Sequence, residues 1–266
     1  MKIAVIGTGN MGQALVRGFI KGGVHKPDEI KVYDNQTDKA LEFAQETGCV
    51  YCGDMSDALK DADAVLLAVK PQTMEEASVK AADHIEEGAI VISIAAGRTI
   101  DKIRRYMGGT PRPFCRVMPN TPALIGQGAS ALCFEDTDLQ QEDYCMSLFE
   151  ACGIAVKVTE DRMDAVTAVS GSGPAYVMIF AEEMAKAGVE LGLDSKDALL
   201  LAAMTLKGAA SLMIESGEDP AVLTQRVCSP GGTTVAAVSS LEADGFRRTI
   251  RNAVHAAAKR SQELAG

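Results

Sequence analysis

The sequence predicts an α/β domain built on a sheet of about eight strands, followed by an all-α domain. The apolar run at residues 2–6 leads through a glycine-rich turn into apolar residues at helical spacing. Runs of strand length then alternate with helical patterns up to about residue 159. From Ala165 onward there is helical periodicity without a convincing strand. We therefore predict one domain over residues 1–159 and a second over residues 160–266.

The glycine-rich turn at residues 7–12 has the spacing G-x-G-x-x-G. Between a strand and a helix, this spacing is the fingerprint of a Rossmann-type dinucleotide-binding domain. The first glycine makes the turn, the second lets a pyrophosphate approach the backbone, and the third packs the helix on the strand. We predict that the cofactor-binding residues of this segment are Ile6, Gly7, Gly9, Asn10, Met11 and Gly12.

A second predicted strand, residues 30–33, ends at Asp34. An acidic residue at this distance from the glycines hydrogen-bonds the ribose 2′-hydroxyl of NAD and repels the 2′-phosphate of NADP. Asp34 beside Asn35 also suits a turn or a helix cap. Lys39 and the neutral residues 35–37 leave room for a phosphate. The sequence therefore favours NADH as a usable cofactor and leaves NADPH open.

The strands predicted at residues 64–69 and 90–94 lead into two short segments, residues 68–71 and 95–97. In open α/β sheets, ligands bind at the carboxyl ends of the strands. Lys70 is the one charged residue in these segments. Contact with the cofactor or substrate and a solvated side chain at a strand end are equal alternatives for it. We predict that the nicotinamide half of the crevice is lined by Ala68, Val69, Lys70, Pro71, Ala96 and Gly97.

Two prolines, Pro119 and Pro122, flank Asn120 and Thr121 after the strand predicted at residues 114–118. They stiffen a loop at the carboxyl end of that strand, because each proline fixes its own φ. We predict that Asn120 contacts the nicotinamide, with Thr121 as a second candidate. A plain turn is the alternative.

The second predicted domain is unusually apolar for a helical bundle of its size. Proline and serine at helix starts and glycine at helix ends punctuate it. Apolar residues on most helix faces exceed what such a bundle can bury, which favours a second copy of the chain as a partner over a monomeric bundle. The predicted helices lie at about residues 161–170, 174–191, 196–215, 220–227, 231–242 and 245–264.

Residues 228–234 read C-S-P-G-G-T-T and predict the start of a helix. Ser229 is expected to be the N-cap and Pro230 the first helical residue, since serine and proline are favoured at these positions. The two glycines leave the first backbone N–H groups open to a ligand. The start of a helix binds anions, so we expect a carboxylate here. An ordinary helix start is the alternative.

Composition limits the remaining classes of function. The net charge of −10 argues against nucleic acid and an anionic membrane surface as partners, and no apolar run approaches the length needed to span a bilayer. The seven cysteines are spaced irregularly and are expected to be small apolar residues of a cytoplasmic protein without a metal site. His25, His84 and His255 are expected at the surface.

Six blocks in the chain together resemble the pyrroline-5-carboxylate reductase family across essentially its full length. The last block is close to a family signature, whereas the nucleotide motif is shared with many families. The blocks are Gly7-x-Gly9-Asn10-Met11-Gly12, Ala68-Val69-Lys70-Pro71, Ala95-Ala96-Gly97, Pro119-Asn120-Thr121-Pro122, Ser170-Gly171-Ser172-Gly173-Pro174-Ala175-Tyr176 and Pro220-x-x-Leu223-x-x-x-Val227-Cys228-Ser229-Pro230-Gly231-Gly232-x-Thr234.

The resemblance implies NADH- or NADPH-dependent reduction of 1-pyrroline-5-carboxylate to L-proline. It implies a Rossmann domain and a helical dimerisation domain, with dimers that can assemble into decamers. The substrate loop would meet the nicotinamide face of the other subunit's Rossmann domain. Many family members prefer NADPH and carry a small or phosphate-binding residue where this chain has Asp34. The substrate-binding residues would be Ser229, Gly231, Gly232, Thr233 and Thr234, with the Thr234 hydroxyl near the imine nitrogen as the catalytic group.

Two other functions remain open at this stage. A β-hydroxyacid dehydrogenase, or an imine reductase for another cyclic substrate, could use the same scaffold. The first usually needs a basic lysine in the helical domain, and Lys186 and Lys207 are the central candidates, although neither lies in a glycine-rich helix start. A non-catalytic nucleotide-binding regulator is the second alternative, but it would have no reason to keep the carboxylate site at residues 229–234.

Overall fold

The structure, a computed structural model, describes residues 1–265 of the chain. It contains a single eight-stranded sheet in these residues, as the sequence predicts. The strands are β1 (Ile3–Ile6), β2 (Ile30–Tyr33), β3 (Val50–Tyr51), β4 (Ala64–Leu67), β5 (Ile90–Ser93), β6 (Phe114–Met118), β7 (Gly128–Glu135) and β8 (Gly153–Lys157).

The strand order is β3-β2-β1-β4-β5-β6-β7-β8. All neighbouring strands are parallel except β6 and β7, which run antiparallel. The chain moves outward in one direction from β1 to β3 and in the other from β4 onward. The switch point between β1 and β4 is therefore the place where an open α/β sheet binds ligands, outside the carboxyl ends of the strands.

The sequence predicts the helices well, with differences of a few residues at their ends. In the sheet region they are α1 (Asn10–Lys21), α2 (Thr37–Thr47), α3 (Met55–Leu59), α4 (Met74–Ala82), α5 (Ile100–Tyr106) and α6 (Leu139–Glu150). The later helices are α7 (Met163–Val166), α8 (Gly173–Glu190), α9 (Ser195–Ser216), α10 (Pro220–Val227), α11 (Thr233–Ala243) and α12 (Phe246–Ala265).

The chain forms two compact units. The first contains residues 1–171 and the end of α12 from Ala257, and the second contains residues 172–256. In the first unit, apolar clusters cover both faces of the sheet, as a parallel sheet requires. One of them includes an edge-to-face pair of Phe19 and Phe149, with ring centroids 6.1 Å apart.

The second unit buries little of its apolar surface. Its cluster of buried apolar residues in the described chain consists of Ala185, Ala198 and Ala202, between α8 and α9. Large apolar side chains along both helices are exposed instead, which agrees with the excess of apolar residues noted in the sequence. By length and a mean hydropathy of 1.5, α9 could cross a membrane, although the sequence has no unbroken apolar run of that length. An exposed apolar face of this kind is typical of a surface that binds another molecule.

The segment at residues 160–171 departs from the single helix that its periodicity predicts. It consists of a 3₁₀ turn (Glu160–Arg162), the short α7, and a π-helical turn (Thr167–Gly171). Asn120 Nδ2 donates to the Ser170 carbonyl oxygen at 3.1 Å and so satisfies a backbone group of the widened turn. π-Helical turns are frequent near functional sites, and the sequence pattern alone does not distinguish them from an α-helix.

The surface position predicted for His25 is wrong, because this side chain is buried between α1 and α6. Its Nε2 lies 2.8 Å from the Tyr144 hydroxyl, and the two rings pack edge to face. Burial lowers the pKa of His25 and raises the pKa of the Tyr144 hydroxyl. His84 and His255 are exposed, as predicted. The two glycines after α1 bring His25 back over the helix end, a local reversal that periodicity does not reveal.

The cysteines are mostly core residues. Six of the seven are buried and Cys228 is half-buried. Burial raises the pKa values of both Cys49 and Cys52, the pair with C-x-x-C spacing. Thiols of this kind are poor nucleophiles and poor metal ligands at neutral pH, since both roles need the thiolate.

Candidate functional site

The glycine-rich loop forms an open cradle between β1 and α1. Gly7 has a φ of 106°, and a Cβ there would lie 2.8 Å from the Ala68 carbonyl oxygen. A Cβ at Gly12 would collide with the Gly7 carbonyl oxygen, so this glycine packs the helix on the loop. Gly9 has no atom within 4 Å of the place where its Cβ would be, which leaves space for a ligand.

The first turn of α1 is suited to an anion. Gly9 is the N-cap and supplies no side chain to the free N–H groups at residues 10–12. These groups, together with the helix dipole, bind phosphate well. Asn10 and Met11 are in this first turn, so they offer their backbone to the ligand. The residues around the loop therefore fit the pyrophosphate of a dinucleotide.

A cleft of about 340 Å³ opens beside this loop at the switch point of the sheet. Of the predicted cofactor residues, seven line it: Ile6, Gly7, Gly9, Asp34, Ala68, Val69 and Lys70. The other predicted cofactor residues, Asn10, Met11, Gly12, Pro71, Ala96, Gly97 and Asn120, do not line it.

Asp34 lies in the cleft wall, but its carboxylate is already bound by the protein. Oδ2 accepts hydrogen bonds from Thr8 N at 2.6 Å and Thr8 Oγ1 at 3.1 Å, and Oδ1 accepts one from Gln36 N at 2.9 Å. The structure therefore agrees with both roles considered for Asp34, because the residue closes a turn and also faces the cleft in which a ribose would lie. Lys39 lines the same wall and brings a positive charge to it.

One wall of the cleft was missed by the sequence reasoning. Thr73, Glu76, Ala77 and Lys80 line it from α4 and the residue before that helix. These residues are three, one and three positions apart, which places them on one face of a helix. This spacing is visible in the sequence. Glu76 and Lys80 pair at 2.7 Å, so the two charges partly cancel at the rim. Tyr33, at the end of β2, and Met55, at the start of α3, also line the cleft and were not predicted from the sequence.

The Asn120 side chain forms two hydrogen bonds within the protein. Its Oδ1 accepts a hydrogen bond from Ala129 N at 2.9 Å, and its Nδ2 donates to Ser170 O. The side chain thus connects the loop after β6 to β7 and to the π-helical turn. Contact with a nicotinamide through Asn120 stays a prediction, and it would have to use the remaining hydrogen-bonding capacity of this amide.

The prediction that Ser229 caps α11 is wrong. The helix begins at Thr233, and its N-cap is Gly232. Gly232 N donates to Ser229 O at 2.9 Å, which closes a tight turn with Pro230 and Gly231 at its central positions; Gly231 has a φ of 71°. Proline is favoured both at the first helical position and at the second position of a turn, because both need a φ near −65°. The sequence alone therefore does not decide between them.

The corrected start of α11 still leaves an open helix terminus. Its first intrahelical bond is from Ala236 N to Gly232 O, so the N–H groups of residues 233–235 precede the helical ladder. No side chain caps this end, since Gly232 has none. The Thr233 and Thr234 hydroxyls are in the same turn. The free donors therefore begin at Thr233, whereas the Gly232 N–H is used in the turn.

Family models match most of the chain. Residues 160–264 match the model described as pyrroline-5-carboxylate reductase dimerisation, and residues 2–97 match the one described as NADP oxidoreductase coenzyme F420-dependent. A pyrroline-5-carboxylate reductase of Pseudomonas aeruginosa is 40% identical over 99% of this chain and 97% of its own. One from Arabidopsis thaliana is 38% identical over 99% of this chain and 95% of its own. The chain belongs to the pyrroline-5-carboxylate reductase family.

Solved structures of pyrroline-5-carboxylate reductases have the same fold as this chain. The one from Coxiella burnetii covers 100% of this chain, 98% of its own, with a TM-score of 0.94 and 35% identity. The Plasmodium falciparum enzyme, solved with NADP bound, covers the same shares with a TM-score of 0.89 and 30% identity. A 3-hydroxyisobutyrate dehydrogenase of Mycobacterium tuberculosis, at 15% identity and a TM-score of 0.53, shares the fold alone.

Lys186, one of the two lysines considered for a hydroxyacid dehydrogenase, is a poor candidate for the catalytic base. Lys186 forms ion pairs with Glu182 and Glu183 at 2.8 and 2.7 Å. These two carboxylates raise the pKa of Lys186, so it stays protonated and is a poor base. Lys207 is exposed on α9.

Proposed function

We propose that the protein reduces 1-pyrroline-5-carboxylate to L-proline with NADH or NADPH, the final step of proline biosynthesis. The observation that supports this best is the open start of α11, formed by the family's signature segment. A helix terminus without a capping side chain suits the carboxylate of a small imino acid. The cleft at the glycine loop, in the same chain, suits the cofactor.

The cofactor is held by residues 1–159 in this proposal. The first turn of α1, where the Gly9 backbone is open, would hold its pyrophosphate, and the cleft wall at Asp34 would hold its adenosine half. Ala68, Val69, Lys70 and Pro71 together with Ala96, Gly97 and Asn120 would flank the nicotinamide half. When bound, the reduced nicotinamide supplies the hydride that the imine carbon accepts.

Residues 160–266 hold the substrate in this proposal. The N–H groups of Thr233 and Thr234 bind its carboxylate, with the Ser229–Gly232 turn fixing the approach to them. Ser229, Gly231 and Gly232 thereby shape the site, and the Thr234 hydroxyl lies near the imine nitrogen. The carboxylate fixes which face of the ring is presented to the cofactor, and correct orientation is a large part of catalysis.

The reaction makes modest demands on side-chain chemistry. A cyclic imine accepts hydride far better when its nitrogen is protonated, and it can arrive already carrying that proton. The product amine keeps the proton, so no residue has to abstract one. The Thr234 hydroxyl orients the nitrogen and stabilises it while the charge changes. A strong general acid or base is therefore not required of this chain.

The test is to follow formation of proline together with oxidation of the cofactor. We expect one proline for each cofactor oxidised when pyrroline-5-carboxylate is supplied. The matched control is 1-pyrroline, which has the same imine but no carboxylate. We expect its kcat/KM to be lower by at least about 100-fold, since charged hydrogen bonds at the start of α11 are lost. Equal reduction of the two compounds would argue against the carboxylate site.

We propose that the exposed apolar faces of α8 and α9 are covered by a second copy of the chain. The support is the near absence of a separate core in the second unit and the dimerisation family model that spans both helices. Lipid is a poorer partner for this surface, because ion-paired and charged side chains such as Lys186 and Lys207 interrupt it. Decamers built from such dimers are a further assembly to be tested by mass.

In this proposal, the substrate loop of one subunit completes the site with the cofactor domain of its partner. A mixed dimer tests this. Gly9→Asp places a negative charge in the phosphate cradle, and Thr234→Ala removes the hydroxyl from the substrate loop. Co-expressed with different tags, the two variants should give a mixed dimer with about half of the wild-type activity, because one of its two sites is intact. A dimer whose sites lie within single subunits would show no recovery.

We propose that the protein acts in the cytoplasm and has neither nucleic acid nor a membrane as a partner. The net charge of −10 and the free, mostly buried cysteines support this proposal. Fractionation of cells into soluble and membrane pools tests it. Recovery of the folded enzyme in the membrane pool would contradict it.

A further inference from the structure

The loops that follow β4 and β5 are fastened to each other by one side chain. Arg98 follows a tight turn in which its own N–H donates to the Ala95 carbonyl oxygen at 3.4 Å, and Gly97 adopts a φ of 68°. Arg98 Nε donates to the Pro71 carbonyl oxygen at 3.1 Å. The side chain is half-buried. A guanidinium therefore joins two segments at the carboxyl edge of the sheet.

The loop after β5 is fixed from behind. Gly97 is buried, and a Cβ there would lie 3.0 Å from the Leu264 Cβ in the last turn of α12. Glu160 Oε1 accepts hydrogen bonds from Ile100 N at 2.8 Å, at the start of α5, and from Arg116 Nη1 at 3.0 Å. The segment that carries Arg98 is therefore held in place by packing and hydrogen bonds on both sides of this residue.

The loop after β4 is less constrained. Lys70, Gln72 and Thr73 are exposed, and the turn is closed locally by Thr73 N and Oγ1, which donate to the Lys70 carbonyl oxygen at 3.0 and 3.1 Å. The Arg98 bond to Pro71 attaches this turn to the next loop. Lys70 and Thr73 line the cleft on either side of Pro71. The wall of the cleft thus depends on where Arg98 holds Pro71.

We infer that Arg98 is a positioning residue that holds the Lys70–Thr73 wall of the cofactor cleft in its working shape. It acts through the Pro71 carbonyl rather than by touching the cofactor. The inference rests on the proposed function only in taking the cleft as the dinucleotide site. Tyr33 and Asp34 line the same cleft but belong to β2 and the turn after it, so Arg98 acts on one wall of the site.

The experiment compares Arg98→Met with Arg98→Lys and uses two probes, NADH and ADP-ribose, which lacks the nicotinamide. Titration calorimetry measures the Kd of each. We expect Arg98→Met to weaken the binding of both NADH and ADP-ribose by about 10-fold, the loss of one charged hydrogen bond, because the wall that Arg98 holds faces the same cleft as Asp34. Arg98→Lys keeps a donor within reach of Pro71 and should recover most of the loss.

Arg105→Met is the matched control, since Arg105 pairs with Asp101 on the exposed face of α5, at 2.5 Å. It should leave both Kd values unchanged. Arg98→Leu replaces Arg98→Met if that variant does not fold, because leucine also has no donor for the Pro71 carbonyl.

Unchanged Kd values in Arg98→Met, or no difference between the Arg98 and Arg105 variants, would overturn the inference. A purely structural role would lower the melting temperature without changing either Kd. The binding measurements do not need turnover. If the wild type binds NADH but does not reduce the imino acid, the proposed function fails while the role of Arg98 is still decided by the two Kd values.

Discussion

Asp34 at the end of β2 holds Thr8 of the glycine loop by two hydrogen bonds, one to the backbone N–H at 2.6 Å and one to the hydroxyl at 3.1 Å. The residue expected to choose the cofactor therefore also fixes the loop that binds the cofactor's phosphates. Its negative charge is compensated by three protein donors, with Gln36 N as the third. A nearby 2′-phosphate is then repelled less strongly than by a free carboxylate, and Lys39 in the same wall attracts it.

Asp34→Ser should shift the ratio of kcat/KM for NADPH over NADH toward NADPH by about 10-fold or more, because the repulsion of the 2′-phosphate is removed. The variant should also raise KM for both cofactors, since a serine cannot replace the three hydrogen bonds that hold Thr8 and Gln36. Parallel steady-state kinetics with both cofactors measure the two effects. Asp38→Ser, an exposed change of the same charge outside the cleft lining, is the control. An unchanged ratio would mean that Asp34 only anchors the loop.

Thr234→Ala should lower kcat/KM for pyrroline-5-carboxylate by about 10- to 100-fold, as for one lost transition-state contact. The start of α11 does not depend on this hydroxyl, because Gly232 is the N-cap, so the fold should be kept. Thr249→Ala removes a comparable hydroxyl from α12, where it bonds to the Gly245 carbonyl, and should have no effect on the reaction. Wild-type kinetics in the Thr234 variant would make its hydroxyl a bystander.

Leu200→Glu should turn the proposed dimer into a monomer, because it places a charge on the exposed apolar face of α9. This leucine is 61% exposed in the single chain. Leu139, on α6, is 78% exposed and lies outside the segment matched by the dimerisation model, so Leu139→Glu is the control. Sedimentation velocity distinguishes the two. A dimer that persists with Leu200→Glu would place the subunit contact elsewhere.

Acid should destabilise the protein through His25. Burial lowers the pKa of His25 below its usual 6.5, and the nearby Glu29 only partly offsets this. The unfolded chain therefore binds more protons than the folded one as the pH falls below the unfolded pKa, and the free energy of unfolding falls with it. Above that pH the stabilising effect is fully present.

His25→Gln should flatten this dependence, because glutamine does not titrate and can still bond the Tyr144 hydroxyl. Urea unfolding at about pH 7.5 and about pH 5.5 measures the change for wild type and variant. The exposed His84, changed in the same way, is the control. If the wild type and His25→Gln lose equal stability on acidification, another group is responsible.

The sequence predicted the sheet well because its strands are short, mostly apolar runs between clear turn signals. β1 and β6 differ from the predicted bounds by one residue or none. The glycine loop could also be placed, because the G-x-G-x-x-G spacing identifies the positions where a side chain would clash or would block a ligand. The end of α9 at Gly217 and the start of α10 at Pro220 could be placed because the effects of glycine and proline on the backbone are local.

What the sequence did not predict depends on contacts between distant residues. The burial of His25 requires Tyr144, which is 119 residues away. The π-helical turn at residues 167–171 is satisfied by Asn120, 50 residues earlier in the chain. The start of α11 was placed too early because proline suits a turn and a helix start equally. The α4 wall of the cleft is different, because its residues recur at helical spacing and the sequence therefore contains the signal for it.

The most direct measurement is the decay of absorbance at 340 nm when pyrroline-5-carboxylate is added to the protein with NADH or with NADPH. We predict turnover with at least one of them, and use of NADH at a rate comparable to or above that of NADPH if Asp34 contacts the ribose. Turnover with NADPH alone would keep the reaction and exclude that role for Asp34. A folded protein that binds cofactor yet shows no turnover with either would contradict the account and favour a nucleotide-binding regulator.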